Sequence, residues 1–245
     1  MSLASFSAMV ISPEKDPVLT EYGRHASYYD SRWAFYVDAT TQATLKRLGA
    51  HPGDRVLDVG CGTGALLKAT AMAVPEAELS GVEPSPEMLR IAREKLGASV
   101  DLRQSRAEDL PFPNEAFDII VSTNVLHFLR RPLEVLHEMS RVLRPGGRVV
   151  ITDWCDDYVV CKVFDLLLRL FNRAHFRTYG QKECHELLEH ADFASIQIER
   201  YRINWLWGLM TAIGEKRAVQ QRAGVKRSES AAAKDSCMSQ GAHDG

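Results

Sequence analysis

Arg-Val-Leu-Asp-Val at 55–59 runs directly into Gly-Cys-Gly-Thr-Gly at 60–64, and a helical pattern opens at Ala65. An apolar run of strand length that ends in three spaced glycines specifies a strand, a tight turn and a helix start in succession. Glycine makes the turn accessible because, without a Cβ, it enters positive φ at little cost. A strand feeding a helix in this way opens a crossover unit, so the remaining chain is expected to supply parallel strands covered by helices on both faces.

The same turn implies a ligand. Gly60, Gly62 and Ala65 fit the relaxed dinucleotide spacing, and Glu83 stands about 20 residues further on, where a ribose-binding acid is expected. Charge separates the two kinds of cofactor that such a loop can hold. A dinucleotide brings an anionic pyrophosphate to the helix start, and a carboxylate at Asp58 would face that anion unfavourably. S-adenosyl-L-methionine brings no phosphate; it carries an ammonium and a sulfonium, for which an acid before the glycines is a partner.

Alternation continues downstream. Strands are expected at Arg55 to Val59, Glu78 to Glu83, near Ser99 to Arg103, at Phe117 to Ser122 and, after a Pro145-Gly-Gly147 turn, at Arg148 to Asp153. Ser85 caps a helix with Pro86 at its first position, Met88, Leu89, Ala92 and Leu96 inward, and Gly97 as its stop. Pro132 to Leu143 forms another, with Leu133, Leu136, Met139 and Leu143 inward. Tyr28 to Leu48 suits one or two helices, Tyr158 to about Arg173 an apolar one and Gln181 to His190 a shorter one. Ser195 to Tyr201 alternates as a strand, and Ile203 to Met210 is expected to return antiparallel. From Glu215, Lys, Arg, Ser, Ala and Gly dominate without an apolar face, the composition of a disordered tail.

Five segments together, Val56 to Gly64, Gly81-Val-Glu83, Ala107-Glu-Asp-Leu-Pro-Phe112, Phe117 to Ser122 and Leu143 to Ile151, resemble in order and spacing the class I S-adenosylmethionine-dependent methyltransferases. The resemblance is to the type 11, ubiquinone/menaquinone-biosynthesis-like group and runs from about Tyr28 to residue 205. It implies a Rossmann-like, doubly wound α/β sheet of seven strands, six parallel and one antiparallel. It also implies a lead at 1–25, a methyltransferase domain at 26–213 and a tail at 214–245. Within that domain, 26–50 are lid helices, 51–153 the cofactor-binding core and 154–213 substrate-side helices and final strands.

By the same resemblance, Gly60, Gly62 and Gly64 pack against the cofactor, with Cys61 in the loop as a small buried residue. Asp58 supports the methionine end, and Glu83 holds both ribose hydroxyls with its two oxygens. Pro84, Ser85 and Met88 border ribose and adenine, and Ala107 and Glu108 meet the adenine edge. Ser122, Thr123 and Asn124 lie near the methionine moiety, and Tyr28 and Tyr36 are candidates to touch the cofactor from the lid. His127 is the candidate catalytic residue, a base facing the transferred methyl or only a cap on the next turn. Asp153, Asp156 and Asp157 are read as charges at a helix start, and no metal site is expected.

The 245 residues, 45% hydrophobic and 25% charged, can bury a core without disulfides or metals as staples. A net charge of −2 gives no global drive towards nucleic acid or an anionic membrane, so a small-molecule methyl acceptor is expected. The apolar walls at Val159 to Phe171 and Phe176 to Tyr179 suit an apolar or aromatic acceptor, with O- or C-methylation favoured. Five cysteines at irregular spacing do not form a disulfide framework, Met1 to Asp16 lacks the form of a secretion signal, and no run is long enough to span a bilayer. A cytoplasmic location is the expectation. Two alternatives stay open: a non-catalytic cofactor-binding or assembly protein of the same fold, and an NAD-dependent oxidoreductase.

Overall fold

The computed structural model describes residues 33–158, 177–204 and 207–218. Helix α1 (Ala34–Leu48) precedes β1 (Arg55–Val59), α2 (Ala65–Ala73), β2 (Glu78–Glu83), α3 (Pro86–Leu96), β3 (Asp101–Gln104) and β4 (Phe117–Thr123). Helix α4 (Pro132–Val142), β5 (Leu143–Trp154), α5 (Gln181–His190), β6 (Phe193–Arg202) and β7 (Gly208–Lys216) follow. The strands form one seven-stranded sheet in the order β3-β2-β1-β4-β5-β7-β6. Neighbouring pairs from β3 through to β5 are parallel, and β7 runs antiparallel to both β5 and β6. Six strands therefore share one direction and β7 opposes them, the doubly wound class I methyltransferase fold that the sequence implies.

Alternation along the central strands builds a core on each face. Val56, Ile119, Val121 and Val150 meet Leu48 of α1, Leu66 and Leu67 of α2 and Leu89 of α3. Leu57, Val59, Ile120, Val149 and Ile151 meet Val135, Leu136 and Met139 of α4 and Leu188 of α5. A one-residue slip of β1 would exchange these two sets and carry Asp58 to the other face.

Helix α3 begins and ends as its residues dictate. The Met88 amide donates to Ser85 Oγ at 3.3 Å, Pro86 occupies the first turn, and Gly97 takes φ 67° past the last turn. Ser85→Ala should cost about 1 kcal/mol through loss of this cap. The expected result is a lower urea midpoint at unchanged slope; an unchanged midpoint would mean that the cap contributes nothing.

Four boundaries differ from expectation. The last strand lies at Gly208–Lys216 and not at Ile203 to Met210, because Ile203 N–H donates to the Trp207 carbonyl and Trp207 N–H to Asn204 Oδ1 and not to a neighbouring strand. The strand thus passes the composition change at Glu215, with Lys216 Nζ donating to the Leu143 carbonyl at 2.7 Å. Pro145-Gly-Gly147 is an irregularity inside β5, which already pairs at Leu143 with Phe117 before its register shifts. Gly97–Ser99 forms a 3₁₀ turn, so β3 starts at Asp101. Tyr28, the helix expected from Val159 and the tail beyond 218 lie outside the described residues.

Candidate functional site

In the strand order, β1 is flanked by β2 on one side and β4 on the other, so the chain's winding reverses there. Crevices in open α/β sheets form beyond the carboxyl ends of the strands at such a switch. The loops after β1, β2, β4 and β5 bring the candidate residues together at that place.

The glycine loop is tied to β2 by successive amides. Gly60 and Cys61 N–H donate to the Val82 carbonyl at 2.9 and 3.0 Å, and Gly62 N–H donates to Glu83 Oε2 at 3.1 Å. Glu83 Oε1 accepts from the Ser85 amide at 2.9 Å. Each glycine has a different reason for its φ. At Gly60 (φ 78°) a Cβ would lie 2.5 Å from Val125, and at Gly64 (φ 77°) 2.7 Å from Leu96 of α3. At Gly62 (φ 52°) a Cβ would meet nothing within 4 Å. Protein thus accounts for the small side chain at two of the three glycines expected to pack against the cofactor. Gly60 and Gly64 are small because protein presses on them, and Gly62 faces the open cradle.

Two acids meet at this cradle. Asp58 is buried, and its Oδ1 has no hydrogen-bond partner among the described residues. Burial, and secondarily the charge of Glu83, push its carboxyl up to about 7. Burial also raises Glu83 to about 7, against the opposing effect of the Ser85 and Gly62 amides. A buried acceptor without a donor is costly, so the pair suits a cation or a proton. Cys61 packs in the core between α2 and β2, and burial holds its thiol well above its ordinary value, as expected of an inert residue. Cys155 and Cys184 are likewise buried, with thiols pushed up to about 12.

Along the rim, Pro84 is half-buried and its carbonyl accepts from Gln104 Nε2 at 3.2 Å. Ser85 and Met88 are committed to α3, one as its cap and the other on its inner face. Ala107 packs on the core, and Glu108 lies 3.6 Å from Arg106 Nε.

Beyond β4, Ser122 Oγ donates to the Val59 carbonyl at 2.9 Å, joining the two strands at the switch. Asn124 takes φ 61°, and its amide donates to the Thr152 carbonyl. Its side chain joins α1 to the end of β4. Tyr36 OH donates to Asn124 Oδ1 at 2.6 Å, and Asn124 Nδ2 donates to Thr40 Oγ1 at 3.3 Å. Thr44 Oγ1 donates to Thr152 Oγ1 at 2.9 Å and lies 3.4 Å from Thr123 Oγ1. Trp154 Nε1 donates to Tyr36 OH, and the rings of Tyr36, Trp154 and Trp207 pack with centroids 5.0–6.4 Å apart.

His127 is held differently from a simple turn cap. Its Nδ1 lies 2.6 Å from Asp153 Oδ1, its backbone N–H donates to Asp153 Oδ2 at 3.2 Å, and its ring stacks on Trp154 at 5.3 Å. Reading Asp153 as a helix-start charge is thereby corrected. Asp157 Oδ2 accepts from the Gln181 amide at 3.1 Å at the start of α5, while the helix expected from Tyr158 lies outside the described residues. The pairing of β4 with β5 places Thr123 beside Thr152, so the turn after β4 and the last residues of β5 become neighbours. No sequence motif signals the contact of His127 with Asp153, which that register creates. Among the described residues, no group of three His, Cys, Asp or Glu is arranged to hold a metal. No described helix is long and apolar enough to cross a membrane.

Comparison with known proteins agrees with this architecture. Residues 57–151 match a family described as a methyltransferase domain of type 11. An uncharacterized methyltransferase of Schizosaccharomyces pombe is 40% identical over 124 residues, 46% of this chain and 41% of that protein. A demethylmenaquinone methyltransferase of Bacillus cytotoxicus is 28% identical over 188 residues, 66% of this chain and 79% of that one. The chain thus spans between about two fifths and four fifths of the length of these curated relatives. In structure, Haemonchus contortus phosphoethanolamine N-methyltransferase 2 in complex with S-adenosyl-L-methionine superposes with a TM-score of 0.70 at 18% identity. That likeness covers 87% of this chain and 62% of the other, and it speaks to the fold alone.

Proposed function

We propose that this chain, whose residues 57–151 match a methyltransferase domain, transfers a methyl group from S-adenosyl-L-methionine to a small apolar or aromatic molecule, on oxygen or carbon. The observation that carries the cofactor is the buried, partnerless Asp58 Oδ1 beside Glu83, at a loop whose amides are already spent. A cation completes such a site. A dinucleotide pyrophosphate would need the amides of 60–62, which here donate to Val82 and Glu83, and it would face two acids. The oxidoreductase reading loses its support on that ground.

Bound there, S-adenosylmethionine supplies a methyl group made electrophilic by its sulfonium. Asp58 answers its positive end, and Glu83 offers the ribose the second lone pair of each oxygen while keeping Gly62 and Ser85. Gly62 gives the backbone room to approach. Tyr36, Ser122, Thr123 and Asn124 border the methionine end, and Pro84, Ser85, Met88, Ala107 and Glu108 lie towards ribose and adenine. The rings of Trp154, Trp207 and Phe128 favour a flat apolar acceptor, by stacking and by excluding water. The demethylmenaquinone methyltransferase relative acts, by its name, on a molecule of that kind.

The test is transfer of labelled methyl from S-adenosylmethionine into a cell extract, afterwards separated into organic-soluble, aqueous, protein and nucleic-acid fractions. Label in the organic fraction is the expected result. Label in protein or nucleic acid would overturn the acceptor class. Binding of S-adenosylhomocysteine without transfer to any fraction would turn the reading to a non-catalytic cofactor-binding protein.

A further inference from the structure

The turn after β4 makes contact in two directions. Asn124 holds φ 61°, a backbone region that asparagine tolerates better than most side chains, and its amide donates to the Thr152 carbonyl at 2.8 Å. Its side chain is spent on α1, with Oδ1 accepting from Tyr36 OH at 2.6 Å and Nδ2 donating to Thr40 Oγ1 at 3.3 Å. The next residue meets the glycine loop. A Cβ on Gly60 would lie 2.5 Å from Val125 Cγ2, so the valine side chain rests against that glycine. Two consecutive residues thus touch the cradle on one side and α1 on the other.

Helix α1 is docked unlike its neighbours. Its buried residues are Tyr36, Thr40, Thr41, Thr44 and Leu48, of which Leu48 alone is aliphatic, whereas α2, α3 and α4 dock through leucine, valine and methionine. A face of hydroxyls gains little from leaving water. The hydroxyls also keep partners when the helix lifts. Thr40 Oγ1 donates to the Tyr36 carbonyl at 2.9 Å, and Thr44 Oγ1 lies 2.8 Å from the Thr40 carbonyl. On the sheet, Thr152 Oγ1 stays 2.9 Å from Thr211 Oγ1. Leu48, Gly49 at φ 60° and the pair of Arg47 with Glu199 of β6 anchor one end. At the other end, Tyr36 packs on Trp154 and Trp207, and Asn124 holds its hydroxyl. An element with few buried apolar contacts opens at a lower free energy than the whole domain.

We infer that the turn at 124–125 couples the cofactor cradle to α1, with Asn124 as the positioning residue of the helix and Val125 as the contact through which the glycine loop acts on it. This rests on the methyltransferase reading above. A ligand against Gly62 and Glu83 fixes the loop at 60–62. A fixed Gly60 fixes Val125, and the turn then holds Asn124 where it engages both Tyr36 and Thr40. Docking of α1 in turn holds Tyr36 at the methionine end. The coupling is reciprocal: the factor by which the cofactor favours docking is the factor by which docking tightens the cofactor. It needs one element with two arrangements that both sites bias, and α1 supplies it.

The experiment follows hydrogen exchange of the α1 amides in the full chain, with and without S-adenosylhomocysteine, beside calorimetric affinity and the exchange of β1 and β4. Thr40→Val, Thr40→Ser and Val125→Ala are compared with the unsubstituted chain. In the unsubstituted chain the ligand should slow α1 exchange by about 5- to 150-fold, the usual range of coupling between sites. Thr40→Val removes the acceptor of Asn124 Nδ2, so α1 should exchange faster without ligand and affinity should fall. Thr40→Ser should restore both. Val125→Ala should bind the ligand more weakly and lose most of the slowing of α1, a ligand-dependent difference that a merely structural role would not move. Equal slowing in Val125→Ala and the unsubstituted chain overturns the coupling, since the ligand would then reach α1 without the turn. Unchanged α1 exchange in Thr40→Val overturns the role of Asn124, and α1 exchange that matches β1 and β4 in every state overturns the separate opening of the helix. Should Val125→Ala not fold, the Thr40 pair decides, and slowing by the ligand as large in Thr40→Val as in the unsubstituted chain overturns the coupling. Absence of S-adenosylhomocysteine binding sinks the methyltransferase reading, whereas binding that leaves α1 exchange unchanged sinks the coupling alone.

Discussion

Glu83→Ala is expected to raise the dissociation constant for S-adenosylhomocysteine by about 100-fold or more, and Glu83→Gln by an intermediate factor. Both oxygens of Glu83 already accept a backbone amide, one from Gly62 and one from Ser85, and each keeps a lone pair for a ribose hydroxyl. A hydrogen bond to a charged group contributes about 1.5–3 kcal/mol, so losing two removes at least about 3 kcal/mol. At 1.4 kcal/mol per tenfold, that is about 100-fold. Glutamine presents one acceptor and one NH₂ group, which cannot face both amides, so it should retain only part of the affinity. Stability should change less than affinity. Alanine orphans two amides but also removes a buried acid that repels Asp58. Calorimetry beside urea unfolding checks both, and equal affinity in all three chains would remove Glu83 from the site.

Much of this site could be read from local sequence because its parts are local. Ser85, Pro86 and Gly97 carry start and stop signals that act within one turn, and α3 obeys them. The loop at 60–64 needs positive φ at three positions, and only glycine supplies that freely. What each glycine avoids was not legible, because Val125 and Leu96 reach Gly60 and Gly64 only after the sheet and helices assemble. The last strand shows the same limit. Ile203 to Met210 carries more apolar residues than Gly208–Lys216, and the choice between them was made by antiparallel pairing of Thr211 and Ile213 with Thr152 and Val150.

The His127–Asp153 pair was out of reach for a related reason. The two residues stand 26 positions apart, one in the turn after β4 and the other near the end of β5, made neighbours only by the pairing of those strands. Thr40 and Thr44 look like poor helix residues in isolation, since their hydroxyls compete for backbone carbonyls. In the fold, Thr40 accepts from Asn124 and Thr44 donates to Thr152, so that α1 docks on the sheet partly through hydroxyls.

Raising the pH from about 5 to about 8 is expected to destabilise the ligand-free chain and to tighten S-adenosylmethionine binding, with Asp58 responsible for much of both effects. In the folded chain, burial holds Asp58 and Glu83 up to about 7, from ordinary values of 3.8 and 4.5, and the charge of Glu83 adds to the effect on Asp58. Between those limits the folded state binds more protons than the unfolded one. The stability so contributed is complete below the unfolded values and is lost as pH rises through about 7. At about 1.4 kcal/mol per unit, the loss is on the order of several kcal/mol, shared by a pair that titrates together. Asp58→Asn removes one proton-binding group and the repulsion on the other, so unfolding free energy should fall less steeply with pH. A slope equal to that of the unsubstituted chain would sink the assignment. Binding carries the opposite sign, because a cation entering beside Asp58 favours the ionised pair and expels its proton. Affinity should therefore rise with pH up to about 7 and then level off, and it should do so less in Asp58→Asn. The two trends meet in one observable: S-adenosylmethionine should raise the unfolding temperature more at pH about 8 than at about 6, where a proton already occupies the place of the cation.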